Sequence, residues 1–188
     1  MPDLPLRLTA RGLGQQFDRL VLFREMHFAA QHGEFVAITG ANGSGKSTLL
    51  RILLGLLTPT VGEVQLQVDG QTVPRAERVQ HMGLVAPYLG VYDALSAREN
   101  LTFLAQARRV RKREARIEAV LDRVGTYSSG MRQRVKVAAA LLHRPPILIL
   151  DEPSTNLDAP GRAMVQAVQD EHVRQGGLLL VATKHASE

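Results

Sequence analysis

The run Gly40-Ala41-Asn42-Gly43-Ser44-Gly45-Lys46-Ser47 constrains this chain more than any other stretch. It reads G-x-x-x-x-G-K-[ST], a spacing suited to phosphate. Glycines let the backbone curl and turn successive N–H groups toward phosphate oxygens. Lys46 adds a mobile positive charge that reaches β- and γ-phosphates, and Ser47 offers a hydroxyl to a magnesium ion. The candidate nucleotide-binding residues are therefore Gly40, Asn42, Gly43, Ser44, Gly45, Lys46, Ser47 and Thr48. Lys46 is also a candidate catalytic cation, and Ser47 a candidate metal ligand.

The flanks fit. Glu34 to Thr39 is short and mostly apolar, which predicts a buried strand. Ser47 to Leu57 is dense in leucine and lacks proline, which predicts a helix. Strand, glycine loop and helix put a bound phosphate on a helix N-terminus, where free N–H groups and the dipole favour anions. By composition alone such a pattern recurs in roughly one chain of this length per hundred or two, so this context is what makes it informative.

Elsewhere the N-terminal third predicts short strands. Leu6 to Leu8 alternates as an edge strand, and Leu20 to Phe23 and His27 to Ala30 predict two more. Val64, Leu66 and Val68 alternate with polar residues up to Asp69-Gly70, a hairpin turn signal. Met82 to Ala86 is apolar. Ser96 to Val124 is helical in composition and opens with a capping box, Ser96 and Glu99. Ser129 to Leu142 predicts a helix with Met131, Val135, Ala138 and Leu142 on one stripe. Ile147 to Leu150 predicts a fully buried strand, Ala159 to Arg174 a helix, and Leu178 to Thr183 a last buried strand. Buried strands alternating with helices imply a parallel α/β sheet.

Composition bounds the function classes. The 188 residues suggest one domain with room for a subdomain. There is no cysteine, so disulfides and thiolate metal sites are excluded. No apolar run approaches the length of a membrane span, and the N-terminus carries no apolar signal core. The net charge is +5, much of it from Arg108, Arg109, Arg111, Lys112, Arg113 and Arg116. No aromatic residues interleave with this run to stack bases. A solvated helix face, with Glu114 and Glu118 as partners, is favoured over a nucleic-acid contact.

Two further signals carry chemistry. Ile147 to Leu150 runs into Asp151-Glu152, which places two carboxylates at the same sheet edge as the phosphate loop. Asp151 is the candidate magnesium ligand, directly or through water, and Glu152 the candidate base that polarises a water for attack on a γ-phosphate. Upstream, Tyr127-Ser128-Ser129-Gly130-Met131 opens a helix with small hydroxylated residues and a glycine. That is either a second anion site or an ordinary serine cap.

The ordered set of phosphate loop, Ser128-Ser129-Gly130-Met131, Asp151-Glu152 and Ser154-Thr155-Asn156-Leu157-Asp158 resembles the ATP-binding cassette (ABC) ATPases over nearly the whole chain. Residues 127–131 resemble the family signature L-S-G-G-Q with three substitutions, and Ser154 to Asp158 resembles its D-loop. The stretches Gly40 to Leu50 and Ala94 to Leu101 are most similar to the ATP-binding subunits of haem exporters in cytochrome c biogenesis. The resemblance implies an α/β fold: a P-loop NTPase core with a parallel sheet, an N-terminal antiparallel β subdomain and a short helical subdomain at roughly 88–142, all within one domain spanning 1–188. It implies ATP and Mg2+ as cofactors. It implies a dimer of cassettes, homomeric or heteromeric, with ATP at the interface. Ser128, Ser129 and Gly130 of one cassette would then face the phosphate loop of the other. It implies that Phe17 stacks on adenine. It implies an export-type ATPase on the cytoplasmic side of the cell membrane, peripheral, powering separate integral membrane permease subunits. The competing readings are a soluble ABC ATPase acting on nucleic acid or ribosomes, and a weakly hydrolysing regulatory cassette.

The sequence departs from the family in four places. Pro87 and Tyr88 stand where a glutamine usually contacts magnesium. The approach to the signature, from Val120 to Tyr127, is short. The family has a histidine directly after a threonine, whereas His185 comes one residue late, after Thr183-Lys184; it is either a candidate catalytic residue that still reaches the γ-phosphate or a plain surface residue. The chain also stops at Glu188, where the family continues with further strand and helix.

Overall fold

The computed structural model describes residues 6–124, 131–155 and 157–184. Alternating residues in the first half build an antiparallel sheet. It contains β1 (Arg7–Phe17), β2 (Leu20–Gln31), β4 (Val61–Val68) and β5 (Gln71–Val73), in the order β2-β1-β4-β5. The apolar runs build a second, parallel sheet from β3 (Phe35–Thr39), β6 (Met82–Val85), β7 (Ile147–Asp151) and β8 (Leu178–Thr183), in the order β3-β8-β7-β6. Its crossovers carry α1 (Lys46–Leu53), α2 (Ala97–Ala107), α3 (Arg113–Val124), α4 (Met131–Leu141) and α5 (Ala159–Arg174).

Every residue of β7 and β8 is buried. Pleating sends successive side chains to opposite faces. Ile147, Ile149, Leu178, Leu180 and Ala182 therefore join α1 and the antiparallel sheet in one core. Leu148, Leu150, Leu179 and Val181 join α2 to α5 in the other. Each such valine, leucine or isoleucine contributes roughly 1.5–3 kcal/mol by leaving water. The middle of the parallel sheet is thus held from both sides, and its C-terminal edge is the rigid place for chemistry. Gly83 admits a close approach here, because a Cβ on it would meet the Ala140 carbonyl of α4.

Most predicted elements stand where the pattern put them. The Asp69-Gly70 turn joins β4 to β5 with both residues at positive φ, 55° and 75°, the twist a two-residue hairpin requires. The capping box at Ser96 forms as expected: Glu99 N–H donates to Ser96 Oγ at 3.2 Å, and Ser96 N–H donates to Glu99 Oε2 at 2.8 Å.

The structure corrects six expectations. β3 is not buried: it ends the parallel sheet, pairing with β8 alone among the described residues, and Phe35 is 51% exposed. A short apolar run reads alike at the centre and the end of a sheet. Leu6 to Leu8 belongs to an inner strand, since β1 pairs with both β2 and β4. The two short strands at 20–23 and 27–30 are one strand, β2, with Glu25 at φ 49° and register shifts against β1. Bulges of this kind carry a strand past residues that break the alternation. The helical stretch from Ser96 to Val124 is two helices, separated by a turn with Arg109 and Lys112 at φ 52° and 50°. Met131 is exposed while Val135, Ala138 and Leu142 are buried, because α4 turns its first residue outward. The basic run also finds different company. Glu118 pairs with Arg98 rather than with the run, while Arg116 donates to the carbonyls of Leu141 and Leu142 at the C-terminus of α4.

Two predictions follow from local structure. Ser96→Ala removes the cap of α2, a change that costs about 1 kcal/mol. It should lower the thermal midpoint by about 2–4 °C in a calorimetric scan; an unchanged midpoint would mean that α2 gains nothing from its box. His143 provides a pH test. Burial and the Arg108 charge lower its pKa from 6.5 to about 4, and Arg108 Nη1 lies 3.1 Å from its Nε2. The unfolded chain therefore takes up this proton before the folded chain does. Stability from the neutral ring is complete above about pH 6.5 and is lost as pH falls toward about 4. His143→Gln should flatten the fall of the thermal midpoint across that window. An equally steep fall would show that the ring titrates alike in both states.

Candidate nucleotide site

The site starts from a helix with an open end. Gly45 caps α1 in the left-handed conformation, φ 94°, and no side-chain cap bond is made at this N-terminus among the described residues. An uncapped N-terminus leaves donors free for an anion. Gly45 is needed there on two grounds. Its φ disfavours any side chain, and a Cβ would press on Leu22 and Phe23 of β2 at 3.2 Å. The loop folds on itself, with Ser44 N–H donating to the Ala41 carbonyl at 3.2 Å.

Around this end lies a cavity of about 340 Å³ lined by Leu22, Asn42, Gly43, Gly45, Lys46, Ser47, Thr48, Asp151 and Glu152. Two distant stretches, the loop after β3 and the end of β7, meet in it, as the spacing of the motifs predicts. Gly40 and Ser44 shape the loop from behind: a Cβ on Gly40 would come within 2.7 Å of Ser44 Oγ. Leu22 is a wall residue that the motifs do not signal, because β2 reaches the loop only through tertiary packing.

Lys46 is buried and folded back onto its own loop. Its Nζ donates to the Gly40 carbonyl at 2.6 Å and to the Ala41 carbonyl at 3.2 Å, and lies 3.9 Å from Glu152 Oε1. The cation is thus held at the mouth of the helix, between the loop and the carboxylate.

Asp151 is 2% exposed, and its Oδ2 accepts no hydrogen bond among the described residues. An unpaired buried carboxylate oxygen is costly and fits a hard cation beside the Ser47 hydroxyl. No group of three or more His, Cys, Asp or Glu side chains clusters for a metal among the described residues. The available donors therefore suit an ion that takes its other ligands from phosphate and water. Glu152 has φ 49°, a left-handed conformation that costs a residue with a Cβ roughly 1–2 kcal/mol. Its N–H donates to the Ala182 carbonyl of β8 at 2.8 Å, and Thr155 Oγ1 lies 3.5 Å from its Oε2. Strain of this kind gathers where a side chain must be aimed.

Other candidates lie apart. Phe17 ends β1, 46% exposed and outside the cavity wall. Asp158 caps α5, its Oδ1 accepting from Gly161 N–H at 2.8 Å. At the position of the family's magnesium-contacting glutamine, the exposed Tyr88 ring lies under Arg51 of α1, 4.4 Å from the guanidinium carbon. Ser128, Ser129, Gly130, Asn156 and His185 lie outside the described residues.

Known proteins resemble this chain in sequence and in fold. Residues 23–155 match the family model described as ABC transporter. The chain is 37% identical over 195 residues to the cytochrome c biogenesis ATP-binding export protein CcmA of Pseudomonas putida, covering 98% of this chain and 92% of the relative. It is 36% identical over 191 residues to the protein of that name from Cupriavidus necator, covering 96% and 84%. A solved structure of the ATP-binding subunit of an ABC transporter superposes with a TM-score of 0.79 at 25% identity, covering 94% of this chain and 79% of the other. A dimeric bacterial ABC transporter cassette has the same fold, with a TM-score of 0.79 at 24% identity over 95% of this chain and 88% of the other. No described helix is long and apolar enough to cross a membrane. With its phosphate loop, paired carboxylates and two-sheet fold matched along nearly its whole length, the chain belongs to the ABC transporter family and is an ATPase of that family.

Proposed function

We propose that this chain hydrolyses ATP with Mg2+ as the energy-supplying subunit of an export-type transporter, acting in haem export for cytochrome c biogenesis at the cytoplasmic face of the membrane. The observation that carries this reading is the similarity, over 98% of the chain, to a relative named as a cytochrome c biogenesis export protein. The chemistry rests on the cavity. The free N–H groups of α1 and the loop bind the phosphates, and Lys46 leaves the carbonyls of Gly40 and Ala41 to pair with the β- and γ-oxygens. Ser47 and Asp151 would hold magnesium, which neutralises charge on the phosphates when bound. Glu152 accepts a proton from the attacking water at its carboxylate. Phe17, half-exposed at the end of β1, would offer its ring to adenine, and His185 would reach the γ-phosphate.

A second cassette is part of the reading, homomeric or heteromeric, with the residues at 128–130 of one chain facing the phosphate loop of the other. Permease subunits in the membrane receive the motion. Co-purification with membrane subunits tests that association. Recovery of the chain with ribosomes instead would overturn it in favour of a soluble ATPase.

Glu152→Gln keeps size and hydrogen bonding but removes the base. Phosphate release should fall by at least about a hundredfold, while ATP binding survives and an ATP-bound dimer accumulates in size-exclusion chromatography. Near-normal turnover would remove Glu152 from catalysis. Lys46→Ala should instead weaken ATP binding by at least about a hundredfold, since charge-assisted bonds to phosphate are lost. Unchanged affinity in a calorimetric titration would sink the site assignment.

A further inference from the structure

We propose that Gln133, on α4, is a positioning residue for hydrolysis: through the carbonyl of Pro153 it holds Glu152 in its left-handed conformation and ties that conformation to the placement of α4. The inference rests on the reading of Glu152 as the base. It concerns a residue that touches none of the reacting atoms.

Glu152 stands at φ 49°, so its backbone keeps this state only while its surroundings hold it. On one side its own N–H is fixed to the Ala182 carbonyl at 2.8 Å. On the other side the next residue is a proline, which has no N–H to anchor. The Glu152 carbonyl accepts from Thr155 N–H at 3.3 Å within its own turn, and the next carbonyl, that of Pro153, accepts from Gln133 Nε2 at 3.2 Å. The carboxylate is thus bracketed by β8 and by α4.

The helix is gripped a second time. Lys136 lies three residues on, the spacing that puts two side chains on one helix face. Its Nζ donates to the Pro87 carbonyl at 3.2 Å and lies 3.4 Å from the Ala86 carbonyl. Both carbonyls follow β6, whose parallel neighbour is β7. One face of α4 therefore holds the segments after two adjacent strands, one of which carries Asp151 and Glu152. A shift of α4 must pull on Pro153 through Gln133, while Lys136 keeps the helix aligned to the sheet.

The test is a cycle on the full chain. Gln133→Leu keeps volume and removes the donor. It should lower kcat about three- to tenfold, the size of one neutral hydrogen bond. KM and calorimetric ATP affinity should change by less than about twofold, and the thermal midpoint should fall by no more than about 2–4 °C. Gln133→Lys, which keeps a donor of similar reach, should recover most of the rate. In a Glu152→Gln background, Gln133→Leu should cause no further loss of single-turnover rate, because its effect passes through the missing carboxylate. If leucine prevents folding, Gln133→Glu, which sets a carboxylate against the carbonyl, should reproduce the kcat loss in a folded protein. An unchanged kcat in a folded Gln133 variant, or a loss that multiplies fully with that of Glu152→Gln, would overturn the proposal. A Glu152→Gln protein with normal turnover would overturn the base assignment as well, and so separates the two failures.

Discussion

The structure depends on the burial of β7 and β8 from both faces. A strand that loses water on two sides gains roughly twice the apolar burial of a half-exposed one. Ile147 and Ile149 look toward α1 and the antiparallel sheet, while Leu148 and Leu150 look toward the helices. This pair fixes the parallel register in which Asp151 lies beside Ala182. From that register comes the Glu152 N–H bond to Ala182, and with it the direction of the carboxylate. An acidic pair placed at the end of a looser strand would have no defined aim.

The site itself is built from groups that are individually unfavourable. Among the described residues, Asp151 has a buried oxygen without a donor, Glu152 has a backbone that disfavours a Cβ, and α1 starts without a side-chain cap. Lys46 meets its needs with loop carbonyls. Each of these is a cost to the folded chain. Rigid strands on one side and the α4 contacts on the other let the chain tolerate them.

The helical part is attached differently. α2 and α3 form a unit held by the Arg98–Glu118 pair and a shared apolar core. They reach the sheet mainly through α4, whose Gln133 and Lys136 bond backbone carbonyls rather than side chains. Backbone contacts of this kind are indifferent to the residue types they meet, which is why a proline can stand at 153 and at 87 without breaking them.

The local chemistry was legible in the sequence. The glycine loop, the Asp-Glu pair, the Asp69-Gly70 turn and the capping box are all short-range patterns, and each needs only neighbours within a few residues to form. What the tertiary structure decided was position. It put β3 at the end of its sheet, made β1 an inner strand, carried β2 through Glu25 without interruption and split the long helix at Arg109. It also brought Leu22 to the loop and Gln133 to Pro153. None of these is visible locally, because hydrophobic period reports which faces are buried and not which strand lies beside which. The chemical groups of the site were set by residue type and spacing alone. Their aim depends on long-range packing, since only contacts between distant segments hold Glu152 in a conformation that its own side chain opposes.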